Sequence, residues 1–331
     1  MNSTFQSIIS KAVKAKSVEE YEVIQNLWSG YGKIVRYKVM GAENPELLSI
    51  IVKHVRLPKQ TKHPRGWNTD LSHQRKVHSY QVETQWYKEF NGKCNDASRT
   101  PHCFALTQEG DEVLMVMEDL DASAYAERRS SVTMADIKIC LKWLANFHAT
   151  FVGQSPKGLW QSGTYWHLQT RPDELEALED KALKNYAQAI DDKLKACKYT
   201  SFVHGDAKLA NFCFGKDEAG QVKVAAVDFQ YVGGGCGMKD VAYFIGSCLY
   251  EEDCEDYETE LLDYYFSELK AALALKQAEI DADEMAQEWR SLYHYAWADF
   301  HRFLKGWSPD HWKINSYSER ITRQVIEKLK G

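Results

Sequence analysis

The chain lacks three things: an apolar run long enough to cross a membrane, a Cys-x-x-Cys spacing, and any excess of positive charge. A helical span needs roughly 20 consecutive apolar residues, and no stretch approaches that, so no membrane partner is expected. The eight cysteines (Cys94, Cys103, Cys140, Cys197, Cys213, Cys236, Cys248 and Cys254) are scattered. Several lie inside apolar stretches such as Phe212-Cys213-Phe214. That usage fits reduced thiols in a cytosolic core better than a disulfide framework or a zinc site. With 41 basic against 47 acidic residues the net charge is −6, which argues against a nucleic-acid partner. The first nine residues have no charged stretch ahead of an apolar core, so a signal peptide is not expected and the placement expected is cytoplasmic. The 331 residues suffice for one large domain or two lobes.

The chain does contain a change of periodicity part-way along. Residues 22–28, 34–40 and 47–55 are short strand-like runs separated by turns, the last of them rich in β-branched residues. They predict a three-strand antiparallel meander. Residues 56–71 are polar and basic and read as an exposed loop. Val77, Tyr80, Thr84, Tyr87 and Phe90 then recur at helical spacing, with Glu83 at the edge of their stripe. Two more strands are expected over 103–107 and 113–117, and Glu118-Asp119-Leu120-Asp121 reads as a hinge. From Met134 the pattern is mainly helical, with 261–275, 285–304 and 318–329 as its later helices. The expected class is α+β: a small five-stranded antiparallel lobe with one helix over residues 1–117, then a larger helical lobe over 118–331.

Two short strands interrupt the helical part and carry the strongest chemical signal. His204-Gly205-Asp206-Ala207-Lys208-Leu209-Ala210-Asn211 is followed by Val227-Asp228-Phe229-Gln230. Phosphoryl transfer from a nucleotide needs such groups. An acidic residue, here Asp206, orients the attacking hydroxyl and takes its proton. A cation, Lys208, neutralises charge on the moving group. Hard oxygen donors, Asn211 and Asp228, hold magnesium. A turn after a buried strand would account for any one of these residues, but not readily for all of them together.

This pair of motifs resembles those of aminoglycoside phosphotransferase and choline kinase-like enzymes. The Asp-Phe-Gln triplet and the following Asp240-Val241-Ala242-Tyr243-Phe244 look most like the ecdysteroid kinase-like branch. Leu144-Ala145-Asn146-Phe147-His148-Ala149 and Met117-Glu118-Asp119-Leu120 extend the likeness over roughly residues 20–250. Many relatives carry another residue where this chain has Lys208. The resemblance implies a bilobal, protein-kinase-like fold that uses ATP and Mg2+. It implies that Lys53 contacts the α- and β-phosphates and that Glu83 pairs with it, with Glu89 as the alternative. Ser29-Gly30-Tyr31-Gly32 stands where a phosphate-covering loop belongs, so Gly30 and Gly32 are nucleotide candidates. By analogy adenine meets the backbone from Glu118 to Leu120, and Asp240 braces the catalytic loop.

The last third is rich in aromatic residues, among them Trp289, Trp297, Phe300, Phe303, Trp307 and Trp312. Helix core and an acceptor pocket both account for them. In the pocket reading, aromatic faces take quaternary ammonium groups, sugars or flat rings. Trp166, Trp297, Asp299 and Trp307, with His167, are then acceptor candidates. The function expected is ATP- and magnesium-dependent phosphorylation of a hydroxyl on a small molecule: an amino alcohol, a sugar or aminoglycoside, or a sterol-like alcohol. A protein kinase is the less favoured enzyme, because no long activation loop fits between Asp228 and Asp240 and no Ala-Pro-Glu follows. A nucleotide-binding pseudokinase would be expected to lack Asp206, Asn211 or Asp228, and all three are present.

Overall fold

A computed structural model describes residues 3–27, 30–56, 70–276 and 279–331. Most of the loop expected over 56–71 therefore lies outside the described residues, as do Trp28 and Ser29. The chain opens with helix α1 (Ser3–Ala12), then strands β1 (Ser17–Asn26), β2 (Gly32–Met40) and β3 (Ser49–Arg56), helix α2 (Asp70–Gln85) and strands β4 (Cys103–Glu109) and β5 (Glu112–Glu118). Helices α3 (Met134–Phe151), α4 (Pro172–Glu176) and α5 (Lys181–Lys195) follow. Four short strands surround the motif: β6 (Ser201–Val203), β7 (Phe212–Lys216), β8 (Val222–Ala226) and β9 (Gly233–Gly235). Helices α6 (Met238–Cys248), α7 (Glu251–Leu275), α8 (Ala282–Trp307) and α9 (Ser316–Lys330) complete the chain.

Two compact units emerge, each discontinuous in sequence. The first comprises Met1–Lys93, Thr100–Glu127 and Cys213–Val227. Its five-stranded sheet has the order β1-β2-β3-β5-β4, with every neighbouring pair antiparallel. β3 is central, setting Val52 opposite Val35 on one side and Val116 on the other. One face of the sheet presents Val35, Tyr37, Ile50, Val52, Leu114 and Val116 to Ile9 of α1 and to Val13 just after it. Helix α1 was not foreseen from the sequence. Burial of Ile9, with Phe5 and Ile8 packed part-buried against the same cluster, explains why it forms, since a fully buried side chain of this kind contributes ~1.5–3 kcal/mol. α2 begins well before the predicted Val77, and after Gln85 the backbone widens to a single π-type turn, closed by Asn91 N–H donating to the carbonyl of Trp86.

The second unit comprises Cys94–Arg99, Arg128–Phe212 and Asp228–Gly331. α3 starts at a reciprocal cap: Thr133 accepts from Asp136 N–H, while the Asp136 carboxylate accepts from Thr133 N–H. Its buried residues include Trp143, Leu144, Phe147 and Phe151. α8 packs against α5, α6, α7 and α9 and buries most of its aromatic residues. α5 and α6 were also not foreseen as helices. β9 is the glycine run, paired antiparallel with β6 immediately before the motif. A side chain at Gly233 would place its Cβ 2.2 Å from the carbonyl oxygen of Trp160. Close backbone packing thus accounts for that glycine. Among the described residues no helix is long and apolar enough to cross a membrane.

Candidate active site

The motif builds a single hydrogen-bonded loop between β6 and β7. Gly205 turns the chain at φ +80°, and Asp206, only 5% exposed, becomes the hub. Asn211 Nδ2 donates both to the Asp206 carbonyl, at 2.8 Å, and to Asp206 Oδ2, at 3.0 Å. Lys208 Nζ lies 2.9 Å from the same Oδ2. Tyr243 of α6 donates its hydroxyl to Asp206 Oδ1 at 3.2 Å. The i, i+2, i+5 spacing therefore brings Asp, Lys and Asn together at one carboxylate. Burial pushes the Asp206 carboxyl above its usual range and Asp228 adds to this, while Lys208 opposes it. Burial works against the charge on Lys208, but Asp206 and Asp228 more than offset it and raise its pKa.

Asp240 supports the loop from α6. Its carboxylate accepts from His204 N–H at 2.5 Å and from Gly205 N–H at 2.9 Å. His148 Nε2 lies 3.2 Å away, and the other ring nitrogen of His148 meets the Tyr265 hydroxyl at 2.7 Å. Asp228 sits at φ +70°, in the left-handed region that an Asp tolerates better than most residues. Its Oδ1 is buried with no hydrogen-bond partner among the described residues. The Asn211 amide nitrogen is committed to Asp206, leaving its oxygen as an acceptor.

Asp206 lies on the wall of a cavity of about 570 Å3 within the second unit. Tyr165, Tyr231, Tyr243, Phe300, Trp307 and Trp312 supply aromatic surface. Arg129, Lys208, His311 and Lys313 supply basic groups, and Asp206 is the one acidic residue on the described wall. The size and mixed lining are those of a small-molecule site.

In the first unit Lys53, 3% exposed, projects from β3, and its Nζ meets Glu83 Oε2 of α2 at 2.6 Å. Glu89 is exposed on the turn that follows α2. Gly30, at φ +76°, precedes β2, and Gly32 lies within β2 opposite Val55. Glu118 ends β5 and donates its N–H to the His102 carbonyl at 2.8 Å. The Leu120 carbonyl accepts from Ser123 and Tyr125 N–H. The intervening Asp119 is buried, accepting from Arg36 Nε at 2.8 Å and Ser49 Oγ at 2.6 Å. These bonds tie the hinge sequence to β2 and β3.

A family model described as the ecdysteroid kinase-like family matches residues 34–154 and 160–278. The chain belongs to the ecdysteroid kinase-like family. No curated protein matches it. Among solved structures it is similar to the microcompartment-associated aminopropanol kinase at 15% identity, covering 98% of this chain and 94% of that one, with a TM-score of 0.48. A choline kinase from Streptococcus pneumoniae is 14% identical over 99% of this chain and 98% of that one, with a TM-score of 0.45. The GDP complex of aminoglycoside 2'-phosphotransferase-IIIa is 13% identical over 98% of each chain, with a TM-score of 0.48.

In this family member the sequence-based acceptor residues separate. Trp307 lines the cavity beside Asp206. Trp166 does not: it is fully buried, packed against Tyr243 and Phe300, with its Nε1 donating to Asp299 Oδ2 at 3.1 Å. Trp297 is a core residue against Tyr317. Asp299, 1% exposed, is bound to Arg302 at 2.8 Å. Burial opposes its charge, but Arg302 and then Lys239 hold its pKa below the usual range. His167 is likewise buried, its Nε2 3.9 Å from Asp191. Helical spacing puts aromatic residues on a stripe without saying whether a cavity or another helix faces it. Arg129, His311 and Lys313 were missed as wall residues, because single basic residues in loops look like solvated surface.

Proposed function

We propose that the chain transfers the γ-phosphoryl group of ATP to a hydroxyl of a small molecule, in a magnesium-dependent reaction. The observation that carries this is Asp206, a buried carboxylate on the wall of an aromatic cavity, held by Asn211, Lys208 and Tyr243. In this reading the acceptor hydroxyl occupies the cavity, and Asp206 aligns it and takes its proton as the P–O bond forms. Lys208 offsets negative charge at the transferring group. Asn211 and Asp228 would hold magnesium: Asp228 Oδ1, without a hydrogen-bond partner among the described residues, and the amide oxygen of Asn211 suit an ion that takes its other ligands from water and phosphate. Bound there, magnesium would neutralise charge on the phosphates.

The first unit would supply nucleotide contacts. Lys53, oriented by Glu83, would meet the α- and β-phosphates, with Gly30 and Gly32 offering backbone N–H groups. Adenine would meet the backbone between Glu118 and Leu120. The functional division into a nucleotide lobe up to residue 117 and an acceptor lobe from 118, and a cytoplasmic setting, belong to the same proposal.

Asp206→Ala is the test. Turnover should fall by at least about a hundredfold, the ordinary size of a general-base contribution, while ATP still raises the melting temperature. Unchanged turnover in a screen of alcohol acceptors would remove Asp206 from the chemistry.

A further inference from the structure

The wall of the Asp206 cavity carries a charge pattern that bears on the acceptor. Of its basic side chains, Lys208 is bound to Asp206 and Arg129 to Asp136. The side-chain ammonium of Lys313, in the segment between α8 and α9, has no hydrogen bond or ion pair among the described residues, although its backbone N–H donates to His311 Nδ1 and its carbonyl accepts from Ser318 Oγ. Its ammonium instead lies over three rings, 5.1 Å from the centroid of Tyr243, 5.6 Å from Phe300 and 5.5 Å from Trp312. All three rings line the cavity. Three of the six aromatic residues on the wall, which could otherwise attract a quaternary ammonium ligand, therefore already face the protein's own cation. A second cation placed there would meet like charge. The one acidic side chain on the described wall, Asp206, is already bound to Lys208.

We propose that the acceptor is a ring-bearing or otherwise apolar alcohol with an anionic substituent, which Lys313 binds, rather than a cationic amino alcohol. This rests on reading the cavity as the acceptor site. The rings of Tyr165, Tyr231 and Trp307 give the apolar body its surface. Lys313 gives the anion a charge-assisted donor from a partly desolvated position, where such bonds are strongest. Burial pushes the pKa of Lys313 down to about 8, with Lys208 acting in the same sense and Cys248 and Asp206 opposing. The side chain is thus mainly cationic at neutral pH.

Three probes of one shape separate the possibilities: 4-(hydroxymethyl)benzoate, its methyl ester, and 4-(hydroxymethyl)benzyltrimethylammonium. Binding is measured by calorimetry at low salt on the full chain, and turnover is measured separately with ATP and magnesium. The carboxylate should bind about tenfold more tightly than the ester, as expected for a charge-assisted bond, and the ammonium compound most weakly. Lys313→Met should bring carboxylate and ester to similar affinity, and Lys313→Arg should keep the preference. Equal or tighter binding of the ester or the ammonium compound, or no carboxylate binding at millimolar concentration, overturns the inference. So does a carboxylate preference that survives Lys313→Met. The comparison of probes on the unsubstituted protein stands even if Lys313→Met does not fold. Carboxylate-selective binding without turnover of any probe would instead count against the kinase reading and leave the anion site in place.

Discussion

At the scale of single residues, Gly205 and His301 make the strongest demands. A Cβ at Gly205 would lie 2.1 Å from the carbonyl oxygen of Tyr231, at a φ of +80°. The obstacle is backbone, so the loop carrying Asp206 must move. Gly205→Ala should cost ~2 kcal/mol or more, with ~1 kcal/mol from the left-handed conformation alone. The expected result is a lowered melting temperature together with a loss of ATP-dependent turnover; a variant as stable and active as the parent would contradict the geometry. His301 is buried on α8, its Nδ1 2.7 Å from Thr322 Oγ1 and its Nε2 3.6 Å from Glu319. Burial pushes its pKa down to about 4, with Glu319 opposing. In the unfolded chain it titrates near 6.5, so between pH 6.5 and 4 the unfolded state binds a proton that the folded state refuses. The stabilisation is complete above 6.5 and is lost as the pH falls, by about 2 kcal/mol between pH 7 and 5. Urea melts should show this loss reduced in His301→Gln. Identical pH dependence in the two proteins would count against it.

At the scale of elements, one buried ion pair joins β3 to α2. Lys53 and Glu83 are 3% and 2% exposed, and at 2.6 Å each satisfies the other's charge. Removing one partner takes the ion pair away from the other's charge in a desolvated place, at a cost of ~3–5 kcal/mol. Lys53→Met and Glu83→Leu should each destabilise by that order, and the double variant should recover much of the loss. Strict additivity in denaturant melts would show that the pair does not couple the two elements. The helix and strand pattern was readable where one face is polar. The five strands and α3, α7, α8 and α9 stand near their expected places. α1 and α6 were not. The ten residues of α1 show no long periodic run, and α6 is buried along nearly its whole length, so polarity alternation cannot mark it.

At the scale of the whole molecule, the two units divide the proposed chemistry between nucleotide contacts and the catalytic carboxylate. A ligand that binds only the folded protein raises stability by ~2.7 kcal/mol at a hundredfold excess over its dissociation constant. ATP with magnesium should therefore raise the melting temperature. Chelation of magnesium should remove most of that shift, and Asp228→Ala should reduce it similarly. The same shift with and without magnesium would separate Asp228 from metal binding.

Local spacing was enough to place Asp206, Lys208 and Asn211 on one loop, because five residues of chain cannot carry those groups far apart. Family resemblance added Lys53 and Glu83, whose meeting across thirty residues depends on β3 and α2 packing together. The resemblance also implied that Asp240 braces the catalytic loop, and in the fold Asp240 reaches back 35 and 36 residues to hold Gly205 and His204. Two things depended on tertiary structure. Trp166, Trp297 and Asp299 are core residues, whereas Trp307 faces the cavity. Lys313 stands uncommitted over three rings. The last distinction is the least accessible to sequence, since a lysine in a loop becomes a ligand group only when the fold surrounds it with aromatic walls and leaves it no carboxylate.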